Sequence, residues 1–182
     1  DLDADINGII MLSVFCKEYI DLIMKKDVPV VFLDAPSNVS DISKYGDIVI
    51  FEGVNSTKSL TKHLIQRGMK RIGFIGDITY CKTILDRYQG YVEGMKEAGL
   101  AIEEELLLTR HMPYRYYRIE EVSKALSELK KMPEAFCCAN DDIAKYVIIS
   151  LRNQGIRVPE DVAVTGFDIK YIKVEGLRKK LS

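Results

Sequence analysis

Two kinds of apolar run alternate along this chain. Short runs that are apolar almost throughout occupy 9–12, 29–33, 48–51, 71–75, 135–138 and 162–165, with a weaker one at 106–108. They are too short for helices and rich in β-branched residues, so they predict strands buried on both faces. Between them lie longer stretches with apolar residues three and four apart, predicting amphipathic helices over 15–26, 56–67, 83–98, 117–130 and 141–153. The inward positions are expected to be Tyr19, Leu22 and Ile23, then Leu60, Leu64 and Ile65, then Val122, Leu126 and Leu129. Gly68, Gly99 and Gly155 follow three of these stretches as stop signals. Strand–helix alternation of this kind predicts an α/β fold with parallel sheets flanked by helices.

In open parallel sheets, ligands bind beyond the carboxyl ends of the strands. That rule singles out Ser13, Asp34, Glu52 to Asn55, Gly76 to Cys81, the stretch after Leu108, Asn140, Asp141 and Asp168. Asp34, Asp77, Asp141 and Asp168 are the carboxylates among or beside them. Asp141 opens a predicted helix, where a capping or first-turn role explains it. Asp168 has no such excuse and is suited to accept hydrogen bonds from ligand hydroxyls. Arg87 falls one turn into the helix that begins near Thr83, close to the same rim, with several donors to offer a polyol or an anion. Pro113 to Arg118 is the densest aromatic cluster; Tyr114 or Tyr116 is expected to wall a pocket and Tyr117 to be core.

Composition removes several functions. The 182 residues carry a net charge of −1, and a chain without a basic surface is not expected to bind nucleic acid by itself. No apolar run approaches the roughly 20 residues needed to span a bilayer, so no membrane association is expected. The acidic start, Asp1 to Asp5, is not a signal peptide. Four cysteines without a C-x-x-C pair, and two histidines, predict reduced buried thiols and neither a metal site nor a catalytic triad. Gly73 and Gly76 lack the spacing of a phosphate-binding fingerprint, so no cofactor is expected.

Four segments in order carry a family resemblance. Residues 62–75 read K-H-L-I-Q-R-G-M-K-R-I-G-F-I, with Met69 where the pattern usually has histidine. Arg87-Tyr88-Gln89-Gly90-Tyr91 follows, then Glu97-Ala98-Gly99-Leu100. Residues 133–141 read P-E-A-F-C-C-A-N-D, and 155–168 read G-I-R-V-P-E-D-V-A-V-T-G-F-D. Together they resemble the LacI/GalR family of bacterial transcriptional regulators over about Asp47 to Asp168, and the stretch from Asn7 to Asp34 fits as well.

The resemblance implies a two-lobed, periplasmic-binding-protein-like effector domain. Residues 1–69 would form part of the N-terminal lobe, 70–167 the C-terminal lobe, and 168–182 an atypical crossover or return segment. Its implied effector contacts are Arg87, Asn140 and Asp168, with Thr83, Asn55 and, on a looser alignment, Tyr114. It implies a small-molecule effector (a sugar or sugar phosphate, with a purine second), a cytoplasmic homodimer, operator DNA bound only through an N-terminal helix-turn-helix, and no catalytic residues. Nothing here resembles that helix-turn-helix, the hinge helix or the first strand and helix of the N-terminal lobe. Residues 169–182 are Lys-rich and lack the usual crossover. The chain therefore reads as truncated at both ends, with an incomplete N-terminal lobe; its lack of an initiator Met points the same way. The alternatives are a sugar transporter's solute-binding protein, distinguished by an upstream export signal, and a doubly wound enzyme.

Overall fold

The structure is a computed structural model that describes residues 6–37 and 46–168. The apolar runs become seven strands: β1 (Ile9–Leu12), β2 (Val30–Leu33), β3 (Asp47–Val49), β4 (Ile72–Ile75), β5 (Leu107–Leu108), β6 (Ala135–Cys138) and β7 (Ala163–Thr165). The amphipathic stretches become five α-helices: α1 (Lys17–Ile23), α2 (Val54–Gln66), α3 (Lys82–Glu97), α4 (Ile119–Ser127) and α5 (Asp141–Asn153), and a 3-10 turn (Glu104–Leu106) leads into β5. The fold is α/β, and every strand pairing is parallel. One sheet has the order β1-β2-β3 and the other β5-β4-β6-β7. Register aligns Ile72, Ala135 and Ala163 across the second sheet.

The second sheet holds the larger core. Every residue of β4 and β6 is buried. Leu64 from α2, Tyr91 and Met95 from α3, Val122 and Leu126 from α4, and Ile143, Val147 and Leu151 from α5 all join Phe74 and Phe136 in one cluster. Thus α2 contributes to the second sheet's core. Its Thr61 hydroxyl also lies 3.7 Å from Cys137 Sγ on β6. Packing therefore groups α2 with the second sheet, whereas the sequence reading grouped residues up to 69 with the first. A strand and the helix after it are neighbours in sequence but need not share a core, and the short segment after β3 is where this chain crosses.

The first sheet has a smaller core of Met11, Ile20, Ile23, Val30 and Phe32. Helix α1 buries Ile20 and Ile23, while Tyr19 and Leu22 are exposed. The expected inward stripe was wrong for those two residues. With four apolar side chains in seven positions, the pattern did not fix the phase, and contact with the sheet selected the Ile20–Ile23 stripe. On the other face of this sheet, Ile10 and Leu12 are 74% and 62% exposed.

Helices α2 and α3 approach closely because Gly90 and Gly94 face α2. A Cβ at Gly90 would run into the backbone at Val54 and lie 3.0 Å from Lys58 N; one at Gly94 would lie 2.9 Å from Thr61 Cβ. Gly73 lets β4 approach its neighbours, since a Cβ there would meet the Phe136 ring and Leu106 O, each at 2.9 Å. Helix α4 starts at Ile119, two residues later than expected, because Arg118 is extended (φ −132°, ψ 141°) and forms the N-cap.

Two outcomes test this packing. Gly90→Ala should destabilise the protein by about 1–3 kcal/mol in urea denaturation, because the helix backbones must separate. The buried Tyr91 hydroxyl donates to Ile72 O at 2.8 Å, and burial pushes its pKa up; Tyr116 and Tyr117 are pushed up to about 12. A tyrosine whose folded pKa lies above its unfolded value stabilises fully below that unfolded value, about 10, and progressively less as pH rises toward the folded one. Stability should therefore fall above pH 10, and less steeply in Tyr91→Phe, a variant already weaker at pH 8 by roughly 1–2 kcal/mol.

Candidate functional site

The strand ends of the two sheets meet across a cleft, and α3 enters it end-on. Beyond β1 and β2 the backbone turns through Ser13 and Asp34, both non-glycine residues at positive φ (53° and 69°). Such conformations persist only where surrounding contacts hold them. For Asp34 those contacts are visible. Its Oδ1 accepts from Ala35 N at 2.7 Å and Thr83 N at 3.2 Å, while its Oδ2 accepts from the Thr83 hydroxyl. The N-cap residue of α3, Cys81, makes no side-chain cap. Asp34, from the first sheet, supplies the missing acceptor at the helix's positive end. Lys82 N also donates to Ala35 O at 2.7 Å, and the Phe15 and Tyr80 rings meet edge-on with centroids 4.8 Å apart.

Arg87 lies one turn after Thr83, as 3.6-residue periodicity requires, so both side chains face the cleft. Arg87 is 8% exposed, and three contacts anchor its guanidinium. Nη1 donates to Ala139 O at 2.6 Å, and the guanidinium lies 3.7 Å above the Phe167 ring. Nη2 is 3.5 Å from Asp168 Oδ1, and Nε is buried with no partner among the described residues. Burial pulls the arginine pKa below its ordinary value, with Asp168 opposing; the group stays charged. A buried cation with an orphaned donor has hydrogen-bonding capacity to spare.

Asn140 is the N-cap of α5. Its Oδ1 accepts from Ile143 N at 2.9 Å, and its Nδ2 donates to the Tyr117 hydroxyl at 2.6 Å. Asp141, in the first turn of α5, is almost fully buried and accepts from Phe167 N at 2.8 Å, which fixes the turn bearing Asp168. Gly166 permits that approach, since any Cβ there would overlap the Asp141 carboxylate.

These groups surround a cavity of about 230 Å³. Ser13, Phe15 and Asp34 line it from the first sheet; Thr83, Arg87, Tyr117 and Asn140 line it from the second, with Cys81 at the back. The wall mixes one carboxylate, one guanidinium, an amide and the hydroxyls of Ser13, Tyr80, Thr83 and Tyr117 with aromatic faces. Such a wall matches a small molecule bearing several hydroxyls, each able to donate and accept. No group of three His, Cys, Asp or Glu among the described residues is placed to hold a metal ion.

Of the residues expected at the site, Thr83, Arg87 and Asn140 line the cavity, while Asp168 is not among the lining residues and is tied to the site through its 3.5 Å contact with Arg87 Nη2. Asn55 lies in the first turn of α2, exposed, with its backbone N–H donating to Glu52 Oε1 at 2.6 Å; it does not line the cavity. Tyr114 is 46% exposed beneath the Arg118 guanidinium, also away from the wall. The aromatic expectation is inverted: Tyr117 lines the cavity and Tyr116 is wholly buried. The two positive-φ residues rotate the chain between Tyr114 and Tyr117, which the sequence alone did not signal. Phe15 and Cys81 were also missed as wall residues. Phe15 was read as helix but precedes α1, and Cys81 fell in the flagged loop after β4 without being singled out.

Residues 61–175 match the family described as periplasmic binding protein-like domain. The HTH-type transcriptional repressor PurR of Glaesserella parasuis is 32% identical over 162 residues, covering 86% of this chain and 46% of the relative. The NTD biosynthesis operon regulator NtdR of Bacillus subtilis is 28% identical, with 85% and 52% covered. The chain thus spans about half the length of the curated relatives it matches. Among solved structures, the transcriptional regulator CelR–cellobiose complex aligns with a TM-score of 0.75 at 26% identity, covering 89% of this chain and 49% of the other.

Thiol labelling tests the site's burial. Cys16 is exposed, whereas Cys81, Cys137 and Cys138 are buried. Burial pushes the Cys81 thiol up to about 11, leaving it almost wholly protonated at pH 8. One thiol should react rapidly with a disulfide reagent and three slowly; rapid reaction of Cys81 in the folded protein would contradict the closed wall.

Proposed function

This chain belongs to the periplasmic-binding-protein-like domain family of LacI-type transcriptional regulators, and we propose that it is the effector-sensing part of such a regulator, binding a sugar-like small molecule in the cleft between its sheets. The observation that carries this reading is Arg87: a buried guanidinium with an unpartnered donor, facing a cavity walled by hydroxyl, amide and carboxylate groups. Arg87, Asp168, Asn140 and Thr83 are the proposed contacts, with Asp34, Ser13 and the Tyr117 hydroxyl beside them. Asn55 and Tyr114 have no such support. The solved relative named with cellobiose favours a carbohydrate over a purine, while the relative named PurR keeps the purine as the second choice.

The proposed mechanism is a population shift. A ligand touching wall groups of both sheets favours the arrangement in which both contact it, and can shift the equilibrium only by that difference in affinity. In the regulator, this arrangement would set the relative positions of DNA-binding parts in a homodimer. With a net charge of −1, the chain itself is not expected to supply the operator contacts, which fall to residues outside it. The lobes are proposed as the two sheets, with α2 counted in the second. No helix among the described residues is long and apolar enough to cross a membrane, and a cytoplasmic location is proposed from the regulator family. Relatives named as transcriptional regulators favour this reading over a transporter's solute-binding protein and over an enzyme.

A thermal-shift screen of neutral mono- and disaccharides and of purines tests the reading, because a ligand that binds only the folded state raises its melting temperature. At least one sugar should raise Tm with a saturable dose response. Asp168→Asn should weaken that ligand roughly 10-fold or more with little change in the unliganded Tm. Arg87→Met should weaken it as much and also lower Tm, because Arg87 ties α3 to Ala139 O. Saturation by a purine alone would move the effector class; full affinity in both variants would refute the site.

A further inference from the structure

A second cavity, of about 380 Å³, adjoins the first and shares Ser13, Phe15 and Tyr80 with it. Its remaining wall differs in character: Thr79, His111, Arg115 and Cys16. The Arg115 side chain makes no hydrogen bond or ion pair with the described residues. Its guanidinium lies 4.3 Å from the Tyr80 ring centroid, and its Nε is buried without a partner. Other cations nearby are accounted for. Arg110 pairs with Glu128 at 2.6 Å and Arg118 covers Tyr114.

Arg115 is held where it is at some cost. It and Tyr116 are consecutive left-handed residues that are not glycine. The half-turn persists because Glu121, on α4, accepts from Tyr114 N at 2.7 Å and Tyr116 N at 2.9 Å. Such non-glycine left-handed pairs persist only where surrounding contacts hold them, and they cluster at ligand sites. The neighbouring carboxylate does not neutralise it. Both oxygens of buried Asp77 are committed, Oδ1 to Thr79 N and its hydroxyl and Oδ2 to His111 Nδ1 at 2.8 Å. That contact makes His111 Nδ1 the donor to Asp77, so Nε2 can donate to an anion only when the ring carries both protons.

We propose that this outer cavity is an anion subsite, in which Arg115 and His111 receive the phosphate or carboxylate group of a ligand whose hydroxyl-bearing part lies against Arg87 and Asn140. Arg115 is a planar donor suited to two oxygens of one oxyanion, His111 lies beside it in the wall, and Ser13 adds a hydroxyl donor at the rim, whereas the Thr79 hydroxyl is already committed to Asp77. The effector is therefore an acidic sugar derivative, such as a sugar phosphate or a sugar acid. The assignment rests on the reading of the cleft as an effector site, but its test does not depend on knowing the effector.

Inorganic phosphate and acetate are titrated separately into the full chain at constant ionic strength, following 31P line width and calorimetric heat. Saturable phosphate binding that acetate does not compete supports a phosphate ester; competition by acetate supports a carboxylate as well. Arg115→Met should weaken anion binding roughly 10-fold or more, His111→Gln several-fold, and Arg115→Lys less than Arg115→Met. Circular dichroism confirms that each variant is folded. Absence of saturable binding by either anion overturns the subsite, as does binding lost in Arg87→Met but kept in Arg115→Met. Neither result touches the neutral-sugar test of the inner cavity, which fails only if no hydroxyl ligand binds there.

Discussion

The placement of α3 is the constraint on which the cleft depends. One stripe of the helix, Thr83, Arg87, Gly90 and Gly94, does two things in sequence. Its first half faces the cavity, and its second half has no side chains at the points where α2 crosses. Because the glycines allow backbone contact, α2 sets the depth at which α3 lies, and hence how far Arg87 reaches toward Ala139 and Phe167. The adjacent stripe, Ile84, Tyr91 and Met95, fills the core under β4 and β6. A helix gripped on two sides has little freedom to shift, so its amino end presents ligand-facing groups on a rigid support.

The two sheets are joined across the cleft by a few polar contacts and one aromatic contact. Asp34 caps α3, Ser37 Oγ donates to Thr79 O at 2.5 Å, and Phe15 meets Tyr80. These bonds lie at the same rim as the cavity wall. Ligand groups and bridging groups therefore share one surface, and Asp34 and Tyr80 belong to both. A molecule bound there acts directly on the contacts that set the relation of the sheets, without a relay through the core.

Much of this was legible in the sequence because the signals were local and redundant. Strands buried on both faces read as unbroken apolar runs, and glycines after helices marked their ends. The rule for strand ends placed Arg87, Asn140 and Asp168 on one rim, and the family segments named the same residues. What the sequence did not reveal depends on phase and on conformations that ordinary residues seldom adopt. The buried face of α1 was ambiguous because apolar side chains crowd it, so Tyr19 and Leu22 were misplaced. The left-handed turn at Arg115 and Tyr116 is held by Glu121, several residues on, which accepts from the N–H groups of Tyr114 and Tyr116. No local pattern announces that, and it exchanged the roles of Tyr114 and Tyr117. Asn55 follows a strand end in sequence, but α2 turns its side chain away with the second sheet's packing.

The unequal size of the two cores has a thermodynamic consequence. Among the described residues, the first sheet rests on five buried apolar side chains, the second on a cluster drawn from four helices and the central strands. Local opening should therefore cost less in the first sheet than in the second. That cheaper unit carries Ser13, Phe15 and Asp34, three of the ten residues lining the cavity. Part of any ligand's binding free energy is then used to hold the weaker sheet in its ordered state, so measured affinity combines wall chemistry with the folding equilibrium of one sheet. A substitution in that small core, far from the ligand, would alter the effector concentration to which the protein responds without changing a single contact to it.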